Sequence, residues 1–110
     1  MLFEHGETAR AEPVLWQVLE RNPRNANRLD HLGVVCLRRK RLEEGVTAYR
    51  RALEITPRSA ITHLGLGYAL RDTGHRAEAA ASWQRALKLA PNTPLAEAAR
   101  KPLAEAARGP

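Results

Sequence analysis

A chain of 110 residues has room for one domain, and its many Ala, Leu, Arg and Glu residues with few aromatics favour helix. No apolar run approaches the length that spans a bilayer, which argues against a membrane span in these residues. The formal net charge is +6, and residues 26–59 alone hold 8 basic and 4 acidic side chains, so an anionic partner has to be considered.

The first predicted helix covers about 8–21, where apolar residues recur at the spacing of one buried face. Pro13 is tolerated there only near the first turn, where its missing N–H costs little. Asn22 and Pro23 end this helix, and Asn25 is the candidate N-cap of the next one.

Two helical hairpins are predicted to follow. The first consists of helices at about 26–39 and 42–55, and the second of helices at about 60–72 and 76–89, each with an apolar stripe on one face. Ser59 is the candidate N-cap of the third of these helices. Since no β-type alternation of useful length occurs, the pattern predicts an all-α protein.

The tail forms the last predicted element. Residues 94–101 are expected to be helical, with Pro102 interrupting the helix and a kinked continuation to Arg108 as an alternative. An Ala-rich helix after the last hairpin is typical of a cap over exposed apolar surface. The other interpretation of 102–110 is a disordered end.

The same helix ending occurs three times along the chain. One constant interval separates Pro23 from Pro57 and Pro57 from Pro91, and each proline follows the end of a predicted helix. A fixed period of about 34 residues marks a stacked repeat, in which each unit buries its apolar face against its neighbours.

The repeat resembles the tetratricopeptide repeat. In the first full hairpin the matching residues are Leu29, Leu32, Gly33, Gly45, Tyr49, Ala52 and Pro57. In the second they are Leu66, Gly67, Ala79, Trp83, Ala86 and Pro91. The pentatricopeptide RNA-binding repeat fits less well, because its period is slightly longer and it lacks this set.

The resemblance implies an α-α superhelix, a helical-hairpin solenoid of about two and a half repeats with a C-terminal capping helix. The chain is then one domain with a partial repeat at 1–25, full repeats at 26–59 and 60–93, and the capping helix and tail at 94–110. Because the partial repeat lacks most of its first helix, we expect self-association through this end, or that the chain is part of a larger protein.

The resemblance also implies a binding surface on the concave side, built from the first helix of each hairpin. The residues expected on this surface are Asn27, Asp30, Val34, Arg38, Ile61, Leu64, Tyr68, Arg71 and Asp72. Ile61, Leu64 and Tyr68 make the stripe unusually apolar for a solvent-facing surface, which suits a peptide with a few apolar anchors. The alternative is that these side chains pack under the tail or a neighbouring repeat.

The leading hypothesis is therefore a non-catalytic interaction module that binds a peptide or a segment of a partner protein in this concave groove. An alternative is binding of nucleic acid or an acidic protein by a basic patch. The residues of that patch are Arg38, Arg39, Lys40, Arg41, Arg50 and Arg51. Nucleic acid is disfavoured because no aromatic side chains are interleaved to stack on bases. A further alternative is the regulatory or targeting arm of a larger enzyme.

Catalytic or metal chemistry is not expected. The 4 histidines are scattered, with no cysteine or carboxylate at metal-ligand spacing, so we predict no metal, cofactor or small-molecule substrate. The single cysteine, Cys36, lies in an apolar run and is predicted to be buried. A lone cysteine without an internal partner favours a reducing compartment, and we expect a cytoplasmic location.

Overall fold

The computed structural model describes residue 17, residues 20–21 and residues 25–107. These residues contain no strand. The helices whose two ends are both described are α1 (Ala26–Arg38), α2 (Leu42–Ile55), α3 (Ala60–Asp72), α4 (Arg76–Leu89) and α5 (Pro94–Ala107). The all-α prediction is confirmed. Residues 17 and 20–21 are helical too, but most of the helix predicted at 8–21, its stop at 22–24 and the expected self-association surface lie outside the described residues.

The helices stack in chain order as two hairpins followed by a single helix. Helix α2 packs against α1 and α3, and α4 packs against α3 and α5. The first helices of the hairpins, α1 and α3, also contact each other, and α3 contacts α5. Therefore α1, α3 and α5 form one layer of the stack, and α2 and α4 form the other.

The helices of the first layer begin in the same way. The side-chain oxygens of Asn25, Ser59 and Thr93 each accept the backbone N–H of the residue three positions on, at 3.1, 3.4 and 3.2 Å. These N-caps satisfy donors that have no partner inside the helix. The caps predicted at Asn25 and Ser59 are confirmed. Thr93 was not predicted, and it places α5 in register with the repeat, because the three caps recur at the same interval as the helix-ending prolines.

Both hairpins turn through a residue in the left-handed region. Lys40 and Gly74, which occupy equivalent positions, have φ values of 62° and 88°. In each turn the next N–H reaches back 2.8 Å to a carbonyl of the preceding helix. Gly74 adopts this conformation without a Cβ penalty, whereas Lys40 carries one.

Two aromatic side chains pack against glycines of the first layer. A Cβ on Gly33 of α1 would lie 2.7 Å from Cζ of Tyr49, and a Cβ on Gly65 of α3 would lie 2.6 Å from the same atom. The Tyr49 ring therefore fits between two neighbouring repeats because both positions lack a side chain. Trp83 packs against Gly67 in the second hairpin in a similar way, and a Cβ there would lie 2.7 Å from Cε2 of the indole.

Helix α5 continues through Pro102 to Ala107, so the interruption expected at Pro102 is wrong and the alternative, a helix that continues past the proline, is confirmed as far as Ala107. Because Pro102 has no N–H, the Ala98 carbonyl four residues earlier loses its helical partner. The Tyr68 hydroxyl donates a long hydrogen bond of 3.4 Å to that carbonyl. Ala96 and Ala99 are fully buried in the contact with the repeats. Contacts with the repeats thus stabilise this helix, although the proline in its interior would by itself favour a break.

Candidate functional site

A depression of about 360 Å³ lies between α1 and α3. We call it the α1–α3 groove; its lining residues are Asp30, Val34, Leu37, Arg38, Tyr49, Ile61, Leu64, Gly65 and Tyr68. Among these are six of the nine residues that the sequence placed on the concave surface. The structure therefore brings most of the predicted set together.

The other three predicted residues lie outside this groove. Asn27 is exposed on α1. Arg71 and Asp72, at the end of α3, pair with each other, with Nε 3.2 Å from Oδ1. The Arg71 guanidinium lies 5.2 Å from the centre of the Tyr68 ring, in a cation–π arrangement.

Val34 and Ile61 give the groove an exposed apolar surface. They are 36% and 56% exposed, and within the described residues they are the large hydrophobic side chains that are left exposed. Leu64, by contrast, is only 8% exposed and belongs to the core cluster of the second hairpin. It forms the base of the groove and contributes little accessible surface of its own.

Asp30 is part of a polar link between the repeats. Its carboxylate can only accept, so the buried Thr62 hydroxyl donates to it, at 2.9 Å. The Ser59 hydroxyl lies 2.8 Å from the Thr62 oxygen and donates to it in turn. Burial, and to a lesser extent the Asp30 and Cys36 charges, raise the pKa of the Tyr49 phenol well above its usual range.

Tyr68 belongs both to the groove and to the contact with α5. Its ring lines the groove, and its edge meets Trp83 with ring centres 5.8 Å apart and planes at 63°. Its hydroxyl reaches the Ala98 carbonyl of α5. The hydroxyl end of Tyr68 therefore packs against the tail, as the alternative expected, while its ring still lines the groove.

Three groove residues were not predicted from the sequence: Leu37, Tyr49 and Gly65. Tyr49 comes from the second layer, and it reaches the groove because Gly65 leaves space above its ring. The signal available in the sequence was Gly65, a glycine additional to Gly67 of the repeat pattern, in Gly65-Leu66-Gly67. One glycine of that pair faces Trp83, and the other faces the aromatic residue of the preceding repeat.

The predicted basic patch is divided by carboxylates. Arg50 Nη2 lies 3.0 Å from Glu78 Oε2, linking α2 to α4, and Arg41 Nη1 lies 3.8 Å from Glu44 Oε2. Arg51 is half-buried near Glu44. Residues 38–41 remain together as an exposed basic turn at one end of the groove.

Residues 25–107, with positions 17 and 20–21, contain no group of three His, Cys, Asp or Glu side chains that could hold a metal ion. His63 Nε2 lies 2.9 Å from the Pro57 carbonyl, and Cys36 is fully buried, as predicted. None of the helices described here has both the length and the apolar character needed to cross a bilayer.

Solved structures of other proteins share this arrangement. MamA from MSR-1 is 28% identical with a TM-score of 0.72, and the match covers 78% of this chain and 49% of MamA. MamA from AMB-1 is 26% identical with a TM-score of 0.73, covering 79% and 51%. The chain thus spans about half the length of the MamA chains that it matches.

The tetratricopeptide repeat domain of Arabidopsis OM64 has a TM-score of 0.82 over 94% of this chain and 85% of its own, but at 21% identity it shows the fold alone. No curated protein matches the chain significantly. Two family models described as tetratricopeptide repeat match residues 2–60 and 60–93. The chain therefore belongs to the tetratricopeptide repeat family, whose domains are protein–protein interaction modules.

Proposed function

We propose that the chain is a non-catalytic module whose α1–α3 groove binds a peptide segment of a partner protein, one with apolar anchors and an acidic side chain. The observation that carries the proposal is the meeting of Val34 and Ile61 in one groove, since both are exposed apolar side chains. Fully burying such a side chain contributes roughly 1.5–3 kcal/mol. Val34 and Ile61 are already partly buried, so each contributes only a fraction of that amount, and contacts of the peptide with the other groove residues supply the rest of the binding free energy.

Charge gives the expected orientation of the peptide. The Asp30 carboxylate accepts a hydrogen bond from Thr62, while Arg38 lies exposed where the groove meets the basic turn at 38–41. A carboxylate on the peptide is therefore complementary to the Arg38 end, and its apolar side chains to Val34 and Ile61. Such complementarity contributes specificity and association rate more than affinity.

The groove is rigid on one side, which favours binding. The Tyr49 ring is held between Gly33 and Gly65 and is 2% exposed, so the partner does not have to order it. Less conformational entropy is then lost on binding. The mechanism is surface complementarity without turnover.

A peptide display library selected on the purified chain tests the proposal. Selected peptides should share apolar residues next to an acidic one, and Ile61→Glu should weaken their binding at least about tenfold by removing an anchor and adding an unpaired charge. Ala77→Glu is the matched control, because Ala77 is exposed on α4 outside the groove. Equal binding by wild type and Ile61→Glu would overturn the proposal.

A second pair of variants separates the groove from the basic surface. Arg38→Glu should abolish the preference for acidic peptides, whereas Arg85→Glu, an exposed change on α4, should not. Binding to double-stranded DNA that falls steeply with salt and ignores Ile61→Glu would favour nucleic-acid binding instead. The ion pairs of Arg50 and Arg41 with glutamates disfavour that outcome.

Two broader expectations remain proposals. The buried Cys36, the single cysteine of the sequence, supports a reducing compartment such as the cytoplasm. A role as the targeting or regulatory arm of a larger protein is supported by the match to about half of each MamA chain. Fractionation of the native host with an antibody to this chain tests both, by compartment and by apparent size.

A further inference from the structure

We propose that α5 controls the α1–α3 groove through Tyr68, so that docking of α5 on the repeats and binding of a partner in the groove strengthen each other. Only the second half of this proposal, the coupling of α5 to a bound partner, rests on the proposed function. Its first half, that α5 positions Tyr68, concerns the chain alone. It assigns α5 a role beyond that of a terminal cap.

The first observation is that one side chain serves both places. The Tyr68 ring lines the groove beside Leu64, and its hydroxyl donates to the Ala98 carbonyl of α5 at 3.4 Å. The edge contact with Trp83 fixes the plane of the ring. Trp83 thus fixes one side of the ring and the Ala98 carbonyl its hydroxyl end, so a displacement of α5 releases the hydroxyl end.

The second observation explains why Ala98 is the acceptor. In an unbroken helix its carbonyl would accept the N–H of residue 102, but that residue is Pro102 and lies inside α5. The proline creates an acceptor without a helical donor, and Tyr68 lies where it can supply the missing hydrogen bond. Tyr68 and Pro102 are separated by one repeat period, so they occupy the same position in successive helices of the first layer.

The third observation concerns stability. A proline in a helix interior costs roughly 3 kcal/mol relative to alanine, so α5 is intrinsically a weak helix that depends on its contacts with the repeats. Its buried face contains alanines such as Ala96 and Ala99, which offer little apolar area each. Elements of this kind are the ones that open locally before the rest of a fold.

Linkage then gives the functional consequence. If docked α5 keeps Tyr68 in the position that the partner contacts, the partner binds the docked form more tightly. By reciprocity the partner also stabilises docking by the same factor. The α1–α3 groove is thereby sensitive to anything that captures or releases α5.

Amide hydrogen exchange of α5 in the full chain tests the first half. Tyr68→Phe should accelerate exchange in α5 about twofold, the low end of the effect of losing one neutral hydrogen bond, because this bond is long at 3.4 Å. Pro102→Ala restores the N–H that Ala98 needs, so in that background Tyr68→Phe should have little further effect. Tyr49→Phe, which removes a phenol hydroxyl with no bond to α5, is the control for general destabilisation.

Wild type, Tyr68→Phe, Pro102→Ala and the double variant can also be compared by a fluorophore in the groove, without a partner. Ile61→Cys carries an environment-sensitive fluorophore, because position 61 is exposed and the natural Cys36 is fully buried. Tyr68→Phe should shift its emission in the Pro102 chain and not in the Pro102→Ala chain. Equal acceleration of α5 exchange by Tyr68→Phe in both backgrounds, or an unchanged emission, would overturn the control of the groove by α5.

A peptide selected on the groove tests the second half. It should slow exchange in α5 and bind Tyr68→Phe more weakly than wild type. A peptide that binds at Ile61 without slowing exchange in α5 would refute the coupling. If selection returns no peptide that depends on Ile61, the proposed function fails while the exchange and fluorescence results still decide whether α5 positions Tyr68.

Discussion

Gly67→Ala is the substitution for which the structure gives the clearest expectation. The position is inside α3, where alanine is favoured over glycine by about 1 kcal/mol. Against this, the new Cβ would overlap Nε1 and Cδ1 of Trp83 and lie 2.7 Å from Cε2. The indole is rigid and 1% exposed, so relieving the overlap requires a shift of the whole ring toward the depression that it lines with Pro102, or a displacement of α4.

Overpacking of this kind costs about 1–3 kcal/mol and occasionally more. With several ring atoms in the way, we expect the upper part of that range and a net loss of about 2 kcal/mol after the helix propensity is counted. For a domain of this size that lowers Tm by about 10 °C. Thermal and urea denaturation followed by circular dichroism measure both quantities.

Gly45→Ala is the matched control, because it is the same change in the interior of α2. The nearest atom to its Cβ is Leu37 Cδ2 at 3.1 Å, the end of a flexible side chain, so a gain of about 0.5 kcal/mol is expected. A Gly67→Ala protein as stable as wild type would refute the argument. So would an unchanged cost in a Trp83→Leu background, where the overlap is relieved and a smaller cost is expected.

Three further predictions concern the turn, the last cap and the buried phenol. Lys40→Gly should stabilise the fold by about 1 kcal/mol in urea denaturation, because Lys40 has φ 62°, and Gly74→Ala, at φ 88°, should destabilise it by a similar amount. Thr93→Ala should cost about 1 kcal/mol and accelerate amide exchange first in the initial turn of α5. Burial raises the pKa of Tyr49, so the neutral phenol contributes its full stabilisation of the fold up to about pH 10, the pH at which the phenol of the unfolded chain ionises. This contribution is lost as the pH rises further. The urea midpoint should therefore fall more steeply in alkali for wild type than for Tyr49→Phe.

Each of these predictions has a contradicting result. A change of the same sign in the free energy of unfolding for Lys40→Gly and Gly74→Ala would show that φ does not set stability in the turns. An unchanged exchange profile in Thr93→Ala would show that the third cap is not used in solution. A Tyr49→Phe protein with the same alkaline dependence as wild type would assign that dependence to other groups.

The regular part of the fold was predictable because local and global signals agree there. For α2, α3 and α4 the predicted ends coincide with the observed ones, since a proline, a capping side chain or a left-handed turn residue stands near each boundary. The Ser59 cap illustrates this agreement: its side chain bonds the first turn of α3 in a way that its type and position imply. The constant interval between the helix-ending prolines then relates one hairpin to the next.

Helix α5 was less predictable because a local rule and a tertiary contact oppose each other. Pro102 is a helix breaker by its own chemistry, and only the donor on Tyr68, far away in sequence, supplies a partner for Ala98. The hydrogen bond from Thr62 to Asp30 is similarly long-range. A sequence pattern places Asp30 on the concave surface but does not show that its carboxylate already has a partner there.

The groove was predicted in outline and corrected in detail. The family resemblance located Val34, Ile61 and Tyr68 on one surface, and the structure brings them together. The resemblance does not distinguish Leu64, which is buried, from Ile61, which is exposed. Burial depends on how closely neighbouring repeats approach each other, and the Tyr49 ring can lie against α3 only because Gly65 has no side chain.

The common register of Asn25, Ser59 and Thr93 has a consequence for how such an array can grow. Because α5 starts at the point in the period where another first helix would start, a duplicated repeat inserted before Thr93 would present α5 with the surface it already covers. The Gly65 of a duplicated second hairpin would face the aromatic residue of its predecessor, as it now faces Tyr49, but that residue would be Trp83. Length can then change by whole units under a constant cap, and each added unit would enlarge the concave surface without redesign of either end.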